Sequence, residues 1–253
     1  MAIFHRMASI DMIILRSFFE AACGGSRMLH HVRIILTAFL AFISLALPVR
    51  AERRIALVIG NDTYDKLDSR AQLRKAKSDA AAMAATFRVL GFDVIQKDDV
   101  TRFAFNEHWQ DFLNKLSPGD TAAFYFAGHG IELGGRNYLL PRDIPNIRPG
   151  REELLKRESL SLQEFLADLR EKKTRLNLVI LDACRDNPFE QLSGRSIGGT
   201  RGLALTEPPE GTFIMFSAGT GESALDRLGD DDRNPNSVYT RQLLAPRCFK
   251  WVA

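Results

Sequence analysis

The stretch Leu178–Phe189, LVILDACRDNPF, decides how this chain is read. Four apolar residues lead into Asp182-Ala183-Cys184-Arg185, and Asn187-Pro188 then turns the chain. A short apolar run bounded by turn residues is the pattern of a strand buried on both faces, as in a parallel sheet. This run ends on a thiol, with a carboxylate two residues to either side and a cation beside it.

Working outward, runs of the same kind recur at Arg54–Gly60 (RIALVIG), Phe92–Gln96, Thr121–Ala127 (TAAFYFA) and Thr212–Ser217 (TFIMFS), with Leu176–Leu181 as the fourth in order. Apolar residues at helical spacing predict helices over Ala71–Leu90, Phe103–Leu116, Ser161–Leu169 and from Ser237 to Leu244. The start of the third has capping-box form, Ser161 with Glu164 three residues on. Arg136–Pro141 reads as a small hairpin arm, and Glu190–Gly211, rich in Gly and Pro without periodicity, as a loop. Strands alternating with helices predict an α/β fold, a parallel sheet covered on both faces. Sites in such folds lie beyond the C-terminal ends of the strands.

Composition narrows the function. The 253 residues are 45% apolar and 26% charged, with a net charge of +3. That is ordinary globular composition, and without a Lys/Arg block nucleic acid is not an expected partner. Nothing after residue 52 is long and apolar enough to span a bilayer. Upstream, His30, His31 and Arg33 precede an apolar run from Ile34 to Leu47, followed by Pro48 and Val49-Arg50-Ala51. This is the layout of a signal peptide over residues 28–51, with cleavage after Ala51. It predicts export to the periplasm or outside, and contact with a membrane only if the segment stays uncleaved as an anchor. Residues 1–27 read as an upstream extension from a mis-assigned start. Cleavage would remove Cys23 and leave Cys184 and Cys248, too few thiols for a disulfide framework.

Two strands end in reactive groups. His129 follows the third, between Gly128 and Gly130, and Cys184 closes the fourth. If those strands are neighbours, imidazole and sulfur stand one strand spacing apart, about 5 Å. A thiol is a weak nucleophile at its free pKa of about 8.5, and a nearby imidazole activates it. The N–H of Gly130, unobstructed by a side chain, and the N–H of Cys184 are candidate oxyanion donors. Singly, a histidine after a strand is more often a loop residue and a buried cysteine more often a small hydrophobe. Their joint placement is what points to chemistry.

A histidine in GHG followed 55 residues later (184 − 129) by a cysteine in Ala-Cys-Arg resembles the caspase clan of cysteine peptidases, in particular the bacterial caspase-like group related to metacaspases. RIALVIGN, Gly91-Phe92, FYFAGHG, NYLLP, LDACRDNPF, RGLA and SVYTRQLL carry the likeness in order, so residues 52–244 are expected to form the peptidase domain. The resemblance implies a three-layer α/β/α fold around a mostly parallel six-stranded sheet, with His129 and Cys184 as the catalytic dyad and protein or peptide substrates. The sixth strand would fall after Leu244. Residues 245–253 match no element, and read as an off-pattern tail left by truncation.

The departures carry information. Animal caspases have Gln before the Ala and Gly after the Arg, where this chain has Asp182 and Asp186. Metacaspases have an Asp two residues before the Cys, as Asp182 is, and another on the first helix, which Asp79 resembles. Two carboxylates in one pocket favour a cationic guest, so cleavage after Arg or Lys is expected. The plain alternative for Asp79 is a solvated helix face. Arg195 and Arg201 lie in the loop after the Cys that this clan often cuts in maturation; plain surface arginine is the blander account. Some metacaspases use calcium, but Asp230-Asp231-Asp232 lacks spaced ligands and reads as a solvated turn, so no cofactor is expected. The competing function classes are a non-catalytic caspase-like binding module and a nucleotide-binding domain. The latter is weakened because no phosphate-loop glycine motif follows the first strand.

Overall fold

The computed structural model describes residues 31–37, 52–148, 150–184, 188–189, 203–204, 206–217, 228 and 232–245. The chain divides into two compact units, Met1–Ala51 and Glu52–Ala253. In the first, residues 31–37 are helical. Among the described residues no helix is long and apolar enough to cross a membrane.

In the second unit, strand β1 (Arg54–Gly60) is followed by helix α1 (Ala76–Val89), β2 (Asp93–Asp98), α2 (Arg102–Lys115) and the long β3 (Thr121–Leu133). Then come β4 (Arg136–Leu139), α3 (Glu152–Glu158), β5 (Leu160–Ser161), α4 (Leu162–Glu171), β6 (Leu176–Cys184), β7 (Thr212–Phe216) and α5 (Val238–Leu243). Five strands pair in parallel in the order β2-β1-β3-β6-β7. The last residues of β3 pair antiparallel with β4, and β4 with β5. Gly134 and Gly135, with φ of +62° and +79°, make the tight turn between β3 and β4.

Strand alternation sorts the core into two layers. Ile55, Leu57 and Ile59 of β1, Phe124 and Phe126 of β3, and Val179 and Leu181 of β6 face α2 and α4, where Phe105, Trp109 and Phe165 form an aromatic cluster. The Trp109 indole N–H donates to Asp168 at 2.8 Å, so this buried polar atom is satisfied. On the other face Ala56, Val58, Ala123 and Ala127 meet Ala76, Ala80 and Ala84 of α1. Small residues on both sides bring that helix close, and a Cβ at Gly60 would run into the carbonyl of Ala76.

Several expectations need correction. The third strand does not stop at Ala127: it runs through the glycines to Leu133, so His129 lies within a strand. The fourth likewise continues through Cys184. The first helix starts at Ala76 instead of Ala71, because the Asp62 carboxylate accepts the Ala76 N–H at 2.8 Å and residues 61–75 form a loop with a single 3-10 turn at Ser69–Ala71. Ser161 does stand at the N-cap of α4, but its side chain makes no capping bond. Helix α3 and the two-residue β5 have no counterpart in the periodicity. The expected sixth strand, Cys248 and the tail from residue 246 lie outside the described residues, as do the signal segment apart from residues 31–37, Arg195, Arg201, Asp186, Asp230 and Asp231.

Candidate active site

The parallel ladder between β3 and β6 runs from Thr121↔Leu176 to His129↔Cys184, so His129 and Cys184 are direct partners on its last rung. His129 falls in the series of Tyr125 and Ala127, on the α1 side of the sheet. The neighbouring-strand arrangement that the pair requires is present.

His129 is buried, with 4% of its surface exposed. Its Nε2 lies 2.7 Å from the carbonyl oxygen of Ala71. A carbonyl only accepts, so Nε2 carries a proton and Nδ1 is the ring nitrogen left to act as base. The main-chain N–H of His129 donates to the Tyr64 hydroxyl at 2.7 Å, and the two rings lie 4.6 Å apart at 45°. The carbonyl of His129 accepts from Leu140 at 2.9 Å. Both main-chain groups of His129 thus face away from β6, and alternation turns those of Gly130 toward it, to the side where Cys184 lies.

The glycines have separate reasons to be small. An ideal Cβ on Gly128 would stand 2.7 Å from the Phe126 ring and 2.8 Å from the Tyr64 hydroxyl. On Gly130 it would press on Ala183 at 3.1 Å and Leu203 at 3.2 Å. Leu203 is held there because the buried Asn137 amide donates to the Ala204 carbonyl and accepts the Ala204 N–H. At the same rim Asn61 donates its N–H to Ala127, and its side chain accepts from Val100 at 2.9 Å, tying three strand ends together.

Asp79 and Asp182 come together, and neither is solvated. They are 2% and 7% exposed. Ser237 bridges them, its N–H donating to Asp79 at 2.9 Å and its hydroxyl to Asp182. Asn236 adds a bond to Asp79 at 2.9 Å and Thr240 one to Asp182 at 2.8 Å, while the Tyr125 phenol stands at the 3.5 Å limit from Asp182. Burial, then the charge of Asp182, pushes Asp79 up to about 7. Burial and the charge of Asp182 push the Tyr125 and Tyr239 phenols above their ordinary values, with Asp79 adding to the push on Tyr125. The solvated-face account of Asp79 does not hold.

Asp232 serves structure. Arg241 binds it with two bonds, at 2.7 and 3.1 Å, and Lys75 approaches at 3.6 Å. The Arg241 contact holds its carboxyl well below the usual range. Among the described residues no group of three or more His, Cys, Asp or Glu side chains is arranged to hold a metal.

Sequence inspection missed Tyr64, Gln72, Ala71, Ser237 and Thr240. Only SVYT, with a hydroxyl at each end, carried a signal: Ser237 caps α5 by accepting the Thr240 N–H.

Residues 53–246 match the family model described as caspase domain. Over 135 residues the chain is 33% identical to human mucosa-associated lymphoid tissue lymphoma translocation protein 1 and to its mouse homolog. Those alignments cover 53% of this chain and 15% of each relative's length. A solved Geobacter sulfurreducens protein is 21% identical, with a TM-score of 0.41, over 53% of this chain and 52% of that one.

Proposed function

Because the chain belongs to the caspase-domain family, we propose that it is a cysteine endopeptidase with Cys184 as nucleophile and His129 as the group that handles the proton. The sulfur attacks the substrate carbonyl carbon, and the amides of Gly130 and Cys184, which the β3–β6 ladder engages before substrate binds, turn out of it to hold the developing oxyanion. The C–N bond then breaks, the amine leaves with a proton from His129, and water hydrolyses the thioester to return the free thiol. The observation that carries this reading is the ladder register, which makes His129 and Cys184 direct neighbours.

Asp79 and Asp182 select a cationic residue, Arg or Lys, on the acyl side of the cut bond. Two buried carboxylates converging on Ser237 support this, since a guanidinium can match both and an anionic guest meets only repulsion. Such a guest has to compete with the Asn236 and Ser237 donors that already occupy the pair. Residues 28–51 are proposed as a removable export signal, which mass measurement of the mature N-terminus tests directly.

The test of the catalytic pair is active-site labelling. An electrophilic peptide bearing Arg should add one equivalent to Cys184, located by intact and peptide mass, in wild type and not in His129→Ala. Folded protein that resists the probe would instead be a non-catalytic binding module.

A further inference from the structure

From the bonding of one loop side chain we infer that Gln72 is a positioning residue for His129, setting through Ala71 and Tyr64 which ring nitrogen of the base carries the proton. The connection from β1 to α1 spans residues 61–75, far longer than the usual two to six residues of such a loop, and a single 3-10 turn is its only regular structure. A connection of that length needs internal fastening to hold an atom still.

Gln72 supplies it. Its Oε1 accepts the Tyr64 N–H at 2.8 Å, and its Nε2 donates to the Tyr64 carbonyl at 3.0 Å and the Leu67 carbonyl at 3.1 Å, with Asp68 at 3.3 Å. One amide therefore ties the far end of the loop to both main-chain groups of Tyr64. Those two places are where the loop meets the base. Ala71, the residue before Gln72, offers its carbonyl to His129 Nε2, and Tyr64 takes the His129 main-chain N–H and lies against its ring. The loop's exposed residues fasten it at other points, the Asp68 carbonyl accepting the Ala71 N–H at 2.9 Å and Asp65 pairing with Arg142, but among the described residues it is the Gln72 amide that links this end of the loop to Tyr64. Without the amide, the Ala71 carbonyl loses its registration with Tyr64, and Nδ1–H becomes accessible to the imidazole. A ring protonated at Nδ1 has no lone pair there to accept the thiol proton.

The kinetic consequence rests on the peptidase reading, but the tautomer does not. Nitrogen-15 spectra of the full chain across pH report it directly. Wild type should show His129 as the Nε2–H form when neutral; Gln72→Ala and Gln72→Glu, the latter unable to donate to the Tyr64 and Leu67 carbonyls, should show a mixture and a shifted titration. Alkylation of Cys184 should slow at least tenfold in both, with the pH midpoint moved. Thr101→Ala, which removes the cap of α2 and no bond of this loop, should hold the Nε2–H form, and a denaturant midpoint measured on each Gln72 variant separates a folding loss from a loss of positioning. An Nδ1–H neutral form in wild type, or folded Gln72 variants with unaltered tautomer and titration, would overturn the role. An unreactive wild type with the expected tautomer would count against the peptidase and leave the positioning intact.

Discussion

His129 is held by uncharged partners, the Ala71 carbonyl and the Tyr64 hydroxyl, whereas Asp79 and Asp182 are held as two like charges in a closed space, damped by Ser237, Asn236 and Thr240. Dipoles orient a group without forcing its ionisation; buried like charges force one partner to keep its proton. The difference teaches that the two places to which the proposed reaction assigns proton delivery and substrate selection are held by different physics, and each can be disturbed with the other left standing.

The largest disturbance is Asp182→Ala. Removing one partner of a buried, charge-assisted contact costs about 2–5 kcal/mol, so turnover of Arg peptides should fall roughly 30-fold to several thousand-fold. Plain alkylation of Cys184 should continue, because the base and its loop are untouched. Unchanged Arg-peptide turnover would remove the acidic pair from substrate selection.

Next is Asp79→Asn. The folded-state value of Asp79, about 7 against 3.8, favours the protonated acid. Above pH 7 the folded protein carries an unwelcome charge, a destabilisation that fades as pH falls from 7 toward 4 and is absent below it. The variant should therefore melt higher than wild type at pH 8, by up to about 4 kcal/mol, and equal it near pH 4. In wild type kcat/KM for an Arg peptide should rise through pH 7 as the pair gains its second charge. The variant should lack that step and keep only those of the thiol and imidazole. A melting gap that is flat across pH would show that the two carboxylates do not share a proton.

Gly128→Ala presses on the base-holding side. Its Cβ meets the Phe126 ring and the Tyr64 hydroxyl, and overpacking of this kind costs about 1–3 kcal/mol. Denaturant melts should show that loss together with slower alkylation of Cys184, while the pH dependence assigned to Asp79 stays where it was.

The smallest effect is expected far from both regions. The Thr101 hydroxyl caps α2 by accepting the Ala104 N–H, so Thr101→Ala should cost about 1 kcal/mol and leave labelling of Cys184 unaltered.

The same contrast explains what was legible in the residues themselves. The strands were, because a buried parallel strand is a run of Ile, Leu, Val and Phe bounded by polar residues; adjacency of the third and fourth stood only as a condition, which the β3–β6 ladder meets. Asp79 and Asp182 were found as a pair only through resemblance, since nothing local links a helix to a strand end 103 residues on (182 − 79). The Ala71 carbonyl was invisible because a main-chain acceptor has no residue type. Leu73 misled: it packs partly buried against the core at helical spacing from Ala76 and Ala80, yet it belongs to the loop, which drew the first helix five residues too early. Ser161 misled in the opposite way, a capping sequence whose hydroxyl makes no cap.

His129 belongs to two ladders at once: it forms the last rung to β6, and its carbonyl receives the Leu140 amide beside the first rungs to β4. Its main chain surrendered its freedom when the domain folded. Within the proposed reaction only rotation of the ring is left to it, so no ordering of the backbone has to be added to the activation barrier.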